Sequence, residues 1–390
     1  MKKLLILAAL GALFSGACRA DGEAPNPAAV AGQVVTLPSA LPSGFPANDT
    51  IRFTFYTPQT TPPVGGAPGL LLLHYLGVRN NREIESIGRD AARRGIAAAV
   101  MTLPYHLRRA VPGIAPANRF AASNVDDTVQ AMQQSVSDVS TVSDWLARRP
   151  EVNPHKLGIL GASLGAIIAH LAMGQDARLR AGVALIGGGD LPEIYRSSLF
   201  VKLLLRHHRT LTEDDKAKLG PVDPLTYAGE NRPRHVLMVQ AARDEGIPPR
   251  AAQELWQALG QPPIQWMDSG HFALHLGVSS VSRTALDYLE AVWNGDESAA
   301  RQVPKVHVPT LKLGYITGLN STLTTAVQWQ ALSLGRRRHM SLLSANLGLS
   351  GRGPFVGFAA TASPFVDVGL GHRLFHGRGF TPYLSFHVVY

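Results

Sequence analysis

The sequence predicts an α/β protein, with a mostly parallel sheet covered by helices on both faces, followed by a smaller antiparallel β-rich region. Two observations support this prediction. From about residue 33 to residue 295, short apolar runs alternate with longer segments of helical periodicity. From Lys305 to Tyr390, helical periodicity is weak, glycines are frequent, and segments of about ten residues alternate apolar with small or polar positions.

The alternating region divides into strands that are short and apolar and helices that are amphipathic. The predicted helices cover residues 82–95, 126–149 and 250–260 and the segment after Ser163. The longest of them starts with acidic residues and ends with basic ones, which suits the helix dipole. The predicted strands cover the segment before Ser163 and residues 69–75, 96–104, 181–190, 235–244 and 263–271. Together they make up the first domain, over residues 49–298.

Composition excludes a disordered chain and gives no support to nucleic-acid binding. Of 390 residues, 45% are hydrophobic and 17% are charged, so a sizeable core can be buried. The formal net charge is +9, but the basic residues are dispersed and no nucleic-acid motif is present. We interpret most of them as solvated faces, with anionic lipid head groups or lipopolysaccharide as the alternative partner.

The first eighteen residues resemble a bacterial secretory signal, with two lysines, a short apolar run and small residues before Cys18. Cys18 is the single cysteine of the chain, which favours a lipoprotein signal in which this thiol is acylated. The alternative is an ordinary signal cut nearby, after Ala20. Residues 19–48 are interpreted as a tether. We therefore expect an exported bacterial protein of the outer membrane or periplasm.

The β-rich region, residues 305–390, ends in a strand with Leu384, Phe386, Val388 and Tyr390 on one face. This pattern resembles the closing strand of an outer-membrane β-barrel. Four to six strands can be counted, whereas about eight are expected to close a small barrel. Two interpretations remain: several chains share one barrel through these strands as a homo-oligomer, or the region is a soluble sheet packed on the first domain.

Residues 161–165 read GASLG and fit the G-x-S-x-G pattern of a nucleophile elbow. An apolar strand precedes Ser163 and a small-residue helix follows it, which is the context such an elbow requires. A hydroxyl is a poor nucleophile at neutral pH, so Ser163 needs a base, and the base needs an orienting carboxylate.

Both partners follow later strands, in the order serine, acid, histidine. Asp244 lies in the loop ARDEGIPP after one strand, and His271 lies in SGHF after the next. With GASLG, these segments resemble the α/β-hydrolase superfamily, in particular its dienelactone-hydrolase and esterase-like members, over residues 50–295. The resemblance implies that Ser163 is the nucleophile, Asp244 the orienting acid and His271 the general base. Asp190 is the reserve acid, and Glu245 is a lesser rival.

The resemblance also implies an oxyanion hole made of two backbone N–H groups. One belongs to Leu164. The other comes from the loop His74–Gly77, where we expect the N–H of Tyr75 or of Leu76 to serve. Tyr75 stands where the family usually has glycine.

An insert at about residues 191–230 occupies the place where such hydrolases carry a cap. Its segment LFVKLLLRHHR is interpreted either as a lid over an acyl pocket or as a helix packed on the core. A second segment, residues 103–113, is expected to bring Arg108 and Arg109 to the rim of the site.

The sequence thus predicts an exported serine hydrolase, most directly a carboxylic ester hydrolase that works through an acyl-enzyme on a small ester or acyl substrate. No metal-ligand cluster or nucleotide loop is recognisable, so no metal and no cofactor are expected. Two alternatives remain open: a serine peptidase on the same fold, and a non-catalytic surface or binding module anchored by its β-rich tail.

Overall fold

The computed structural model describes residues 30–204, 210–303, 305–319, 321–375 and 379–390. The chain divides into two compact units, Met1–Ala31 and Gly32–Tyr390. All elements described below belong to the second unit. The predicted signal peptide and Cys18 lie outside the described residues.

An eight-stranded sheet forms the frame of the first domain, in the order β1-β2-β4-β3-β5-β6-β7-β8. From β4 to β8 neighbouring strands are parallel, while β1 and β2 pair antiparallel at one edge. The strands are β1 (Gln33–Pro38), β2 (Thr50–Tyr56), β3 (Ala67–Leu73), β4 (Ala97–Thr102), β5 (Val152–Ala162), β6 (Leu179–Leu185), β7 (His235–Ala241) and β8 (Ile264–Met267).

Helices cover both faces of this sheet, so its central strands are largely apolar, and all six residues of β4 are buried. The helices are α1 (Arg82–Arg93), α2 (Ala117–Phe120), α3 (Val125–Ala147), α4 (Leu164–Gln175), α5 (Leu191–Ser197), α6 (Leu199–Leu204), α7 (Glu213–Leu219), α8 (Ala228–Asn231), α9 (Pro249–Ala258), α10 (Val278–Trp293) and α11 (Glu297–Arg301). The predicted fold class is confirmed. None of the helices in the described ranges is both long enough and apolar enough to cross a membrane.

The tether predicted for residues 19–48 is too long. Residues 33–38 form β1, which pairs along its whole length with β2. The segment after it is also packed, because Asn48 is fully buried and its carbonyl accepts a hydrogen bond from Arg109 Nε at 2.8 Å. The segment QVVTLP alternates more exposed with less exposed positions, and this pattern suffices for an edge strand with one face in solvent.

The prediction that Arg109 lines the rim of the site is wrong. Its side chain is fully buried, and Nη2 lies 2.7 Å from Oδ2 of Asp138, which is equally buried on α3. Nη1 donates to the carbonyl of Thr102 at 3.1 Å. The guanidinium therefore ties the loop after β4 to a helix, because a buried cation requires a buried counter-charge and carbonyl acceptors.

The strands after the nucleophile end earlier than predicted. The strand assigned to residues 181–190 stops at Leu185, and the one assigned to residues 235–244 stops at Ala241. Beyond Ala241 the chain turns, since Asp244 Oδ1 accepts the backbone N–H groups of Gly246 and Ile247, both at 2.7 Å. An extended strand does not allow such a turn.

Residues 311–389 form a closed six-stranded antiparallel barrel, in the order β10-β11-β12-β13-β14-β9. Its strands are β9 (Leu311–Gly318), β10 (Ser321–Arg337), β11 (Met340–Ser350), β12 (Gly353–Ser363), β13 (Val366–Arg373) and β14 (Thr381–Val389). Because β14 pairs with β9 of the same chain, the expectation that about eight strands are needed for closure is wrong.

Small residues inside the barrel explain how six strands close. A Cβ at Gly348 would lie 2.3 Å from the ring of Phe355, and one at Gly357 would lie 2.9 Å from the ring of Tyr383. The two aromatic rings fill the space that these glycines leave, with ring centroids 6.0 Å apart. The rings thus pack where a side chain larger than glycine would clash.

Candidate active site

Ser163 stands at the turn between β5 and α4, in a strained backbone conformation. Its φ is 52° and its ψ is −113°, a region that side-chain-bearing residues rarely adopt. The turn is fixed because the Ser163 N–H donates to the carbonyl of Leu185 at 2.8 Å on the neighbouring strand. The hydroxyl is thereby presented at the carboxyl edge of the sheet, as the elbow motif predicts.

The two glycines of GASLG are required by close approach. A Cβ at Gly161 would lie 2.1 Å from the carbonyl oxygen of Gly165, and a Cβ at Gly165 would lie 2.6 Å from the carbonyl oxygen of Leu73. Both distances are impossible for a real side chain. The start of α4 can therefore fold back on β5 and lie directly against the end of β3.

The structure brings Ser163, His271 and Asp244 together in a hydrogen-bonded chain. Ser163 Oγ lies 2.9 Å from His271 Nε2, and His271 Nδ1 lies 2.8 Å and 2.9 Å from the two carboxylate oxygens of Asp244. Because a carboxylate can only accept, Nδ1 carries the proton and Nε2 is left to accept the serine proton. All three side chains are buried.

Neighbouring carboxylates favour the protonated, positively charged form of His271. Burial alone lowers the pKa of His271, but the Asp244 carboxylate, with a further contribution from Glu245, more than offsets this and raises it above its usual value. The ring is thus a stronger base than a free imidazole.

Glu245, which the sequence analysis considered only as a lesser rival of Asp244 for the orienting acid, is part of the site in another way. Its Oε2 accepts the backbone N–H of His271 at 3.1 Å, so it binds the main chain and not the ring. Burial, followed by repulsion from Asp244, raises the pKa of Glu245 to about 7. Its position directly after Asp244 was the signal available in the sequence.

Asp190, the reserve acid, is not part of this group. It adopts a left-handed conformation and caps α5 by accepting the Glu193 N–H at 3.1 Å. Its carboxylate is therefore used for helix capping, and it has no hydrogen bond to His271.

The structure places the loop predicted to complete the oxyanion hole beside the elbow. Leu164 is the first residue of α4, so its N–H lacks a carbonyl partner one turn earlier. A Cβ at Gly165 would lie 2.7 Å from the carbonyl oxygen of His74, which places Tyr75 and Leu76 next to that helix end.

Two neutral histidines hold this loop. His74 Nδ1 donates to the carbonyl of Tyr75 at 2.8 Å, and its Nε2 accepts the N–H of Leu103 at 3.0 Å. His106 Nε2 accepts the N–H of Gly77 at 2.9 Å. Burial lowers the pKa of His74 to about 3 and that of His106 to about 4, so both rings remain uncharged. They fix the backbone and do not take part in proton transfer.

Part of the predicted cap lies directly on the base. The ring of Phe200 on α6 packs edge-on against His271, with centroids 5.3 Å apart, and also meets Phe272 at 5.2 Å. The Leu199 N–H donates to the carbonyl of Glu245 at 2.9 Å. The described part of the cap thus places an aromatic side chain against His271 and packs Val201 into the core, while residues 205–209 lie outside the described residues.

The end of the barrel supports the loops that carry the acid and the base. A Cβ at Gly270 would lie 1.8 Å from the carbonyl oxygen of Val389, so β14 approaches the His271 loop at backbone contact. Tyr390 is buried and stacks on Phe272 with centroids 5.6 Å apart. Tyr390 pairs with Leu311 through two backbone hydrogen bonds and keeps the register of β14, but the first domain covers it, whereas Leu384 is exposed.

Arg243, one residue before Asp244, links the two domains. Its Nε donates to Asp268 at 2.7 Å and its Nη1 donates to the carbonyl of Pro364 in the barrel at 3.2 Å. Asp268 in turn accepts the N–H of Ser341 on β11 at 2.9 Å. Burial raises the pKa of Asp268, but Arg243 and Ser341 outweigh it and lower the pKa to about 2.

Within the ranges that the structure describes, no group of three His, Cys, Asp or Glu side chains is placed to bind a metal ion.

Comparison with known sequences places part of the chain near a peptidase family. Residues 128–290 match the model of the prolyl oligopeptidase family, Peptidase_S9. Over 144 residues the chain is 26% identical to the uncharacterized peptidase YuxL of Bacillus subtilis (strain 168). This stretch is 36% of the present chain and spans only 20% of the relative.

Solved structures with the same fold include esterases and peptidases. An acylaminoacyl peptidase of Pyrococcus horikoshii aligns with a TM-score of 0.51 at 14% identity, covering 72% of this chain and 43% of its own. An acetyl xylan esterase from Paenibacillus sp. R4 aligns with a TM-score of 0.50 at 19% identity, covering 67% and 89%. At such identities the likeness shows the fold alone, which is that of the α/β-hydrolases. Together with the family match, it supports a serine hydrolase.

Proposed function

We propose that this chain is a carboxylic ester hydrolase that forms an acyl-enzyme on Ser163. The observation that carries the proposal is the continuous hydrogen-bonded chain from Ser163 Oγ through His271 to Asp244, with distances of 2.9 Å and 2.8 Å. The strained elbow and the adjacent N-terminus of α4 support the same role.

In the first half of the reaction, Ser163 Oγ attacks the ester carbonyl carbon while its proton passes to His271 Nε2. The carbonyl oxygen becomes negatively charged and is held by the N–H of Leu164 and by that of Leu76 or Tyr75. The intermediate then collapses, the bond to the alcohol oxygen breaks, and the alcohol leaves with the proton from His271. The acyl group remains bonded to Ser163.

In the second half, water takes the place of the alcohol. His271 accepts a proton from the water, whose oxygen attacks the acyl carbon, and the same proton returns to Ser163 Oγ as the carboxylic acid leaves. Asp244 keeps the proton on Nδ1 throughout, so that the imidazolium formed twice in the cycle is stabilised by the adjacent carboxylate.

An ester is the substrate class that needs the fewest additional groups in the site, because an alcohol leaves more readily than an amine. Phe200 and Phe272 beside His271 favour a substrate with an apolar acyl or alcohol part. No metal or cofactor takes part in the proposed reaction.

A serine peptidase is the second candidate, favoured by the match of residues 128–290 to the prolyl oligopeptidase family. The same three side chains serve amide hydrolysis if His271 protonates the leaving amine. A non-catalytic binding module is disfavoured, since the strained backbone at Ser163 has a cost that binding alone does not explain.

The test is a panel of p-nitrophenyl esters of increasing acyl length alongside aminoacyl and peptidyl p-nitroanilides, assayed with the wild-type chain and Ser163→Ala. Ser298→Ala is the control, because this exposed serine on α11 is far along the chain from every site residue. We expect ester turnover that falls by a factor of about 10³ or more in Ser163→Ala and is unchanged in Ser298→Ala.

Faster cleavage of the anilides than of the esters would favour the peptidase. Absence of turnover on every substrate by a folded wild-type chain would contradict both enzyme proposals and leave the binding module.

We further propose that the chain is exported in bacteria and that Cys18 is lipidated after removal of residues 1–17. The support is the sequence pattern of residues 1–18 alone. Mass spectrometry of the mature N-terminus from a bacterial host tests it: an acylated Cys18 is expected, and an unmodified N-terminus near Asp21 would contradict lipidation.

A further inference from the structure

The barrel has its polarity reversed relative to an ordinary globular domain. Many of its outward side chains are large, apolar and exposed to solvent: Leu347, Leu349 and Phe358 are 47%, 60% and 61% exposed. We call this outward ring the apolar belt. It comprises Leu313, Tyr315, Leu323, Val327, Trp329, Leu332, Leu334, Leu343, Leu347, Leu349, Val356, Phe358, Val368, Leu370, Leu384 and Phe386.

The belt is continuous around the barrel, because every one of the six strands contributes to it. It is bounded by Arg336 at the end nearest the first domain and by Arg352 at the opposite end. Between these arginines, the outward positions within the described residues carry no Asp, Glu, Lys or Arg.

The interior holds charged and polar groups beside a small apolar cluster that includes Ile316, Phe355 and Tyr383. Lys312 Nζ lies 2.7 Å from Asp367 Oδ2, and both side chains are fully buried. Gln328 donates to Ser385 Oγ at 2.6 Å, and both are also buried. In a water-soluble barrel the apolar side chains would occupy this interior and the charged ones the outside.

From this reversed polarity we infer that the barrel is embedded in lipid, with the acyl chains of a membrane covering the apolar belt. Transmembrane β-structure shows the same distribution, an outward apolar band and a polar interior. The strands contain 8 to 17 residues, compared with the roughly 9–11 residues that a tilted strand needs to cross the hydrocarbon layer.

Lipid explains the belt better than a protein partner does. A second protein would cover one side of the barrel and leave the strands on the far side in water, whereas lipid covers all six strands at once. The arginines at both ends are complementary to anionic head groups on the two sides of the hydrocarbon layer. They fit a lipid environment in charge as well as in position.

Embedding the barrel would hold the active site at the membrane surface. Val389 and Tyr390, at the end of β14, contact Gly270 and Phe272 in the loop of His271. The barrel end that contacts the first domain is therefore also the end nearest the acid and the base. The inference about lipid does not depend on the proposed ester hydrolysis.

The test is flotation of the full chain carrying Cys18→Ala, so that no acyl group on Cys18 anchors it, with vesicles of phosphatidylcholine and phosphatidylglycerol after removal of mild detergent. The belt variant is Leu347→Lys/Phe358→Lys. The matched control is Val34→Lys/Val64→Lys, which adds the same two charges at exposed apolar positions of the first domain. We expect the wild type and the control to float at both low and high salt, and the bound fraction of the belt variant to fall at least about tenfold.

Equal flotation of the belt variant and the control, or a wild-type chain that stays unbound, would overturn the inference. Binding that disappears at high salt for every variant would also overturn it, because it would involve the arginines and head groups only. A stable dimer in vesicle-free buffer, lost in the belt variant and unaccompanied by flotation, would assign the belt to a second copy instead.

A second measurement does not require charged substitutions in the barrel. Lipids brominated in the acyl chains quench tryptophans that they touch, and Trp329 is the outward tryptophan of the belt. We expect quenching in the wild type and in Trp256→Phe, and its loss in Trp329→Phe; equal quenching in all three would overturn the inference. Hydrolysis of a soluble ester, measured on the same samples, tests the proposed function separately.

Discussion

Glu245 is a buried carboxyl group that touches the backbone of the proposed general base without touching its ring. Its Oε2 accepts the His271 N–H, and burial together with the neighbouring Asp244 raises the pKa of Glu245 to about 7. In its charged form it adds to the negative potential that raises the pKa of His271.

We expect Glu245→Gln to shift the acidic limb of the pH–rate profile to lower pH, by roughly 0.5 unit or more. His271 must be neutral to accept the proton of Ser163, so activity appears as the pH rises through the pKa of His271. Removing a nearby negative charge lowers that pKa, and activity then persists to lower pH. The measurement is kcat/KM for a soluble ester from about pH 5 to about pH 9.

Glu213→Gln is the control for this shift, since it removes the same charge from an exposed position on α7. An unchanged acidic limb in Glu245→Gln, or a shift to higher pH, would contradict the electrostatic influence assigned to Glu245.

Among the elements, the elbow could be predicted from the sequence because its evidence is local. Gly161 and Gly165 flank Ser163 within five residues, and the close approaches that require them occur within the same turn and the adjoining strand end. Asp244 and His271 could be placed because each follows an apolar strand, and the ends of parallel strands meet at one edge of a sheet.

The contacts that the sequence did not reveal join residues far apart in the chain. Arg109 was expected at the rim, but its partner Asp138 lies 29 positions later (138 − 109) on a different element, and nothing local marks the pair. The closure of six strands depends on Gly348 beside Phe355, which are partners in one hairpin, and on Gly357 beside Tyr383, which lie two strands apart. Only the strand register determines those pairs.

The buried ion pair between Arg109 and Asp138 leads to a prediction about stability. We expect Arg109→Met to lower the free energy of unfolding by about 3–5 kcal/mol, because Asp138 would be left buried without its counter-charge. Urea unfolding followed by circular dichroism measures this change.

In the double variant Arg109→Met/Asp138→Leu, at least half of the lost stability should return, since no buried charge remains. Arg250→Met, which breaks an exposed pair with Glu254, should change the stability little. A small effect of Arg109→Met alone would contradict the role assigned to this pair.

At the scale of the whole molecule, the barrel and the hydrolase domain share an interface beside the proposed catalytic loops. The stacking of Tyr390 on Phe272 and the approach of Val389 to Gly270 place the end of β14 against the segment that carries His271. Arg243 and Asp268 connect the same loops to β11 and to the carbonyl of Pro364. We infer that the barrel positions the base.

Tyr390→Ala tests this positioning role. Loss of the ring leaves a cavity behind Phe272, so we expect kcat for a soluble ester to fall about tenfold with little change in KM. Tyr390→Phe keeps the stacked ring and should retain most of the activity. Thermal unfolding of both variants distinguishes a displaced base from a loss of the fold. Equal activity in Tyr390→Ala and the wild type would refute the coupling.

The central claim, that Ser163 is the nucleophile, is tested most directly by mass spectrometric localisation of a fluorophosphonate adduct on the intact chain after proteolysis. The account predicts one adduct, on the peptide that contains Ser163, and its absence after Ser163→Ala and after His271→Ala. Modification of a different serine, or a folded wild-type chain that forms no adduct, would contradict the account.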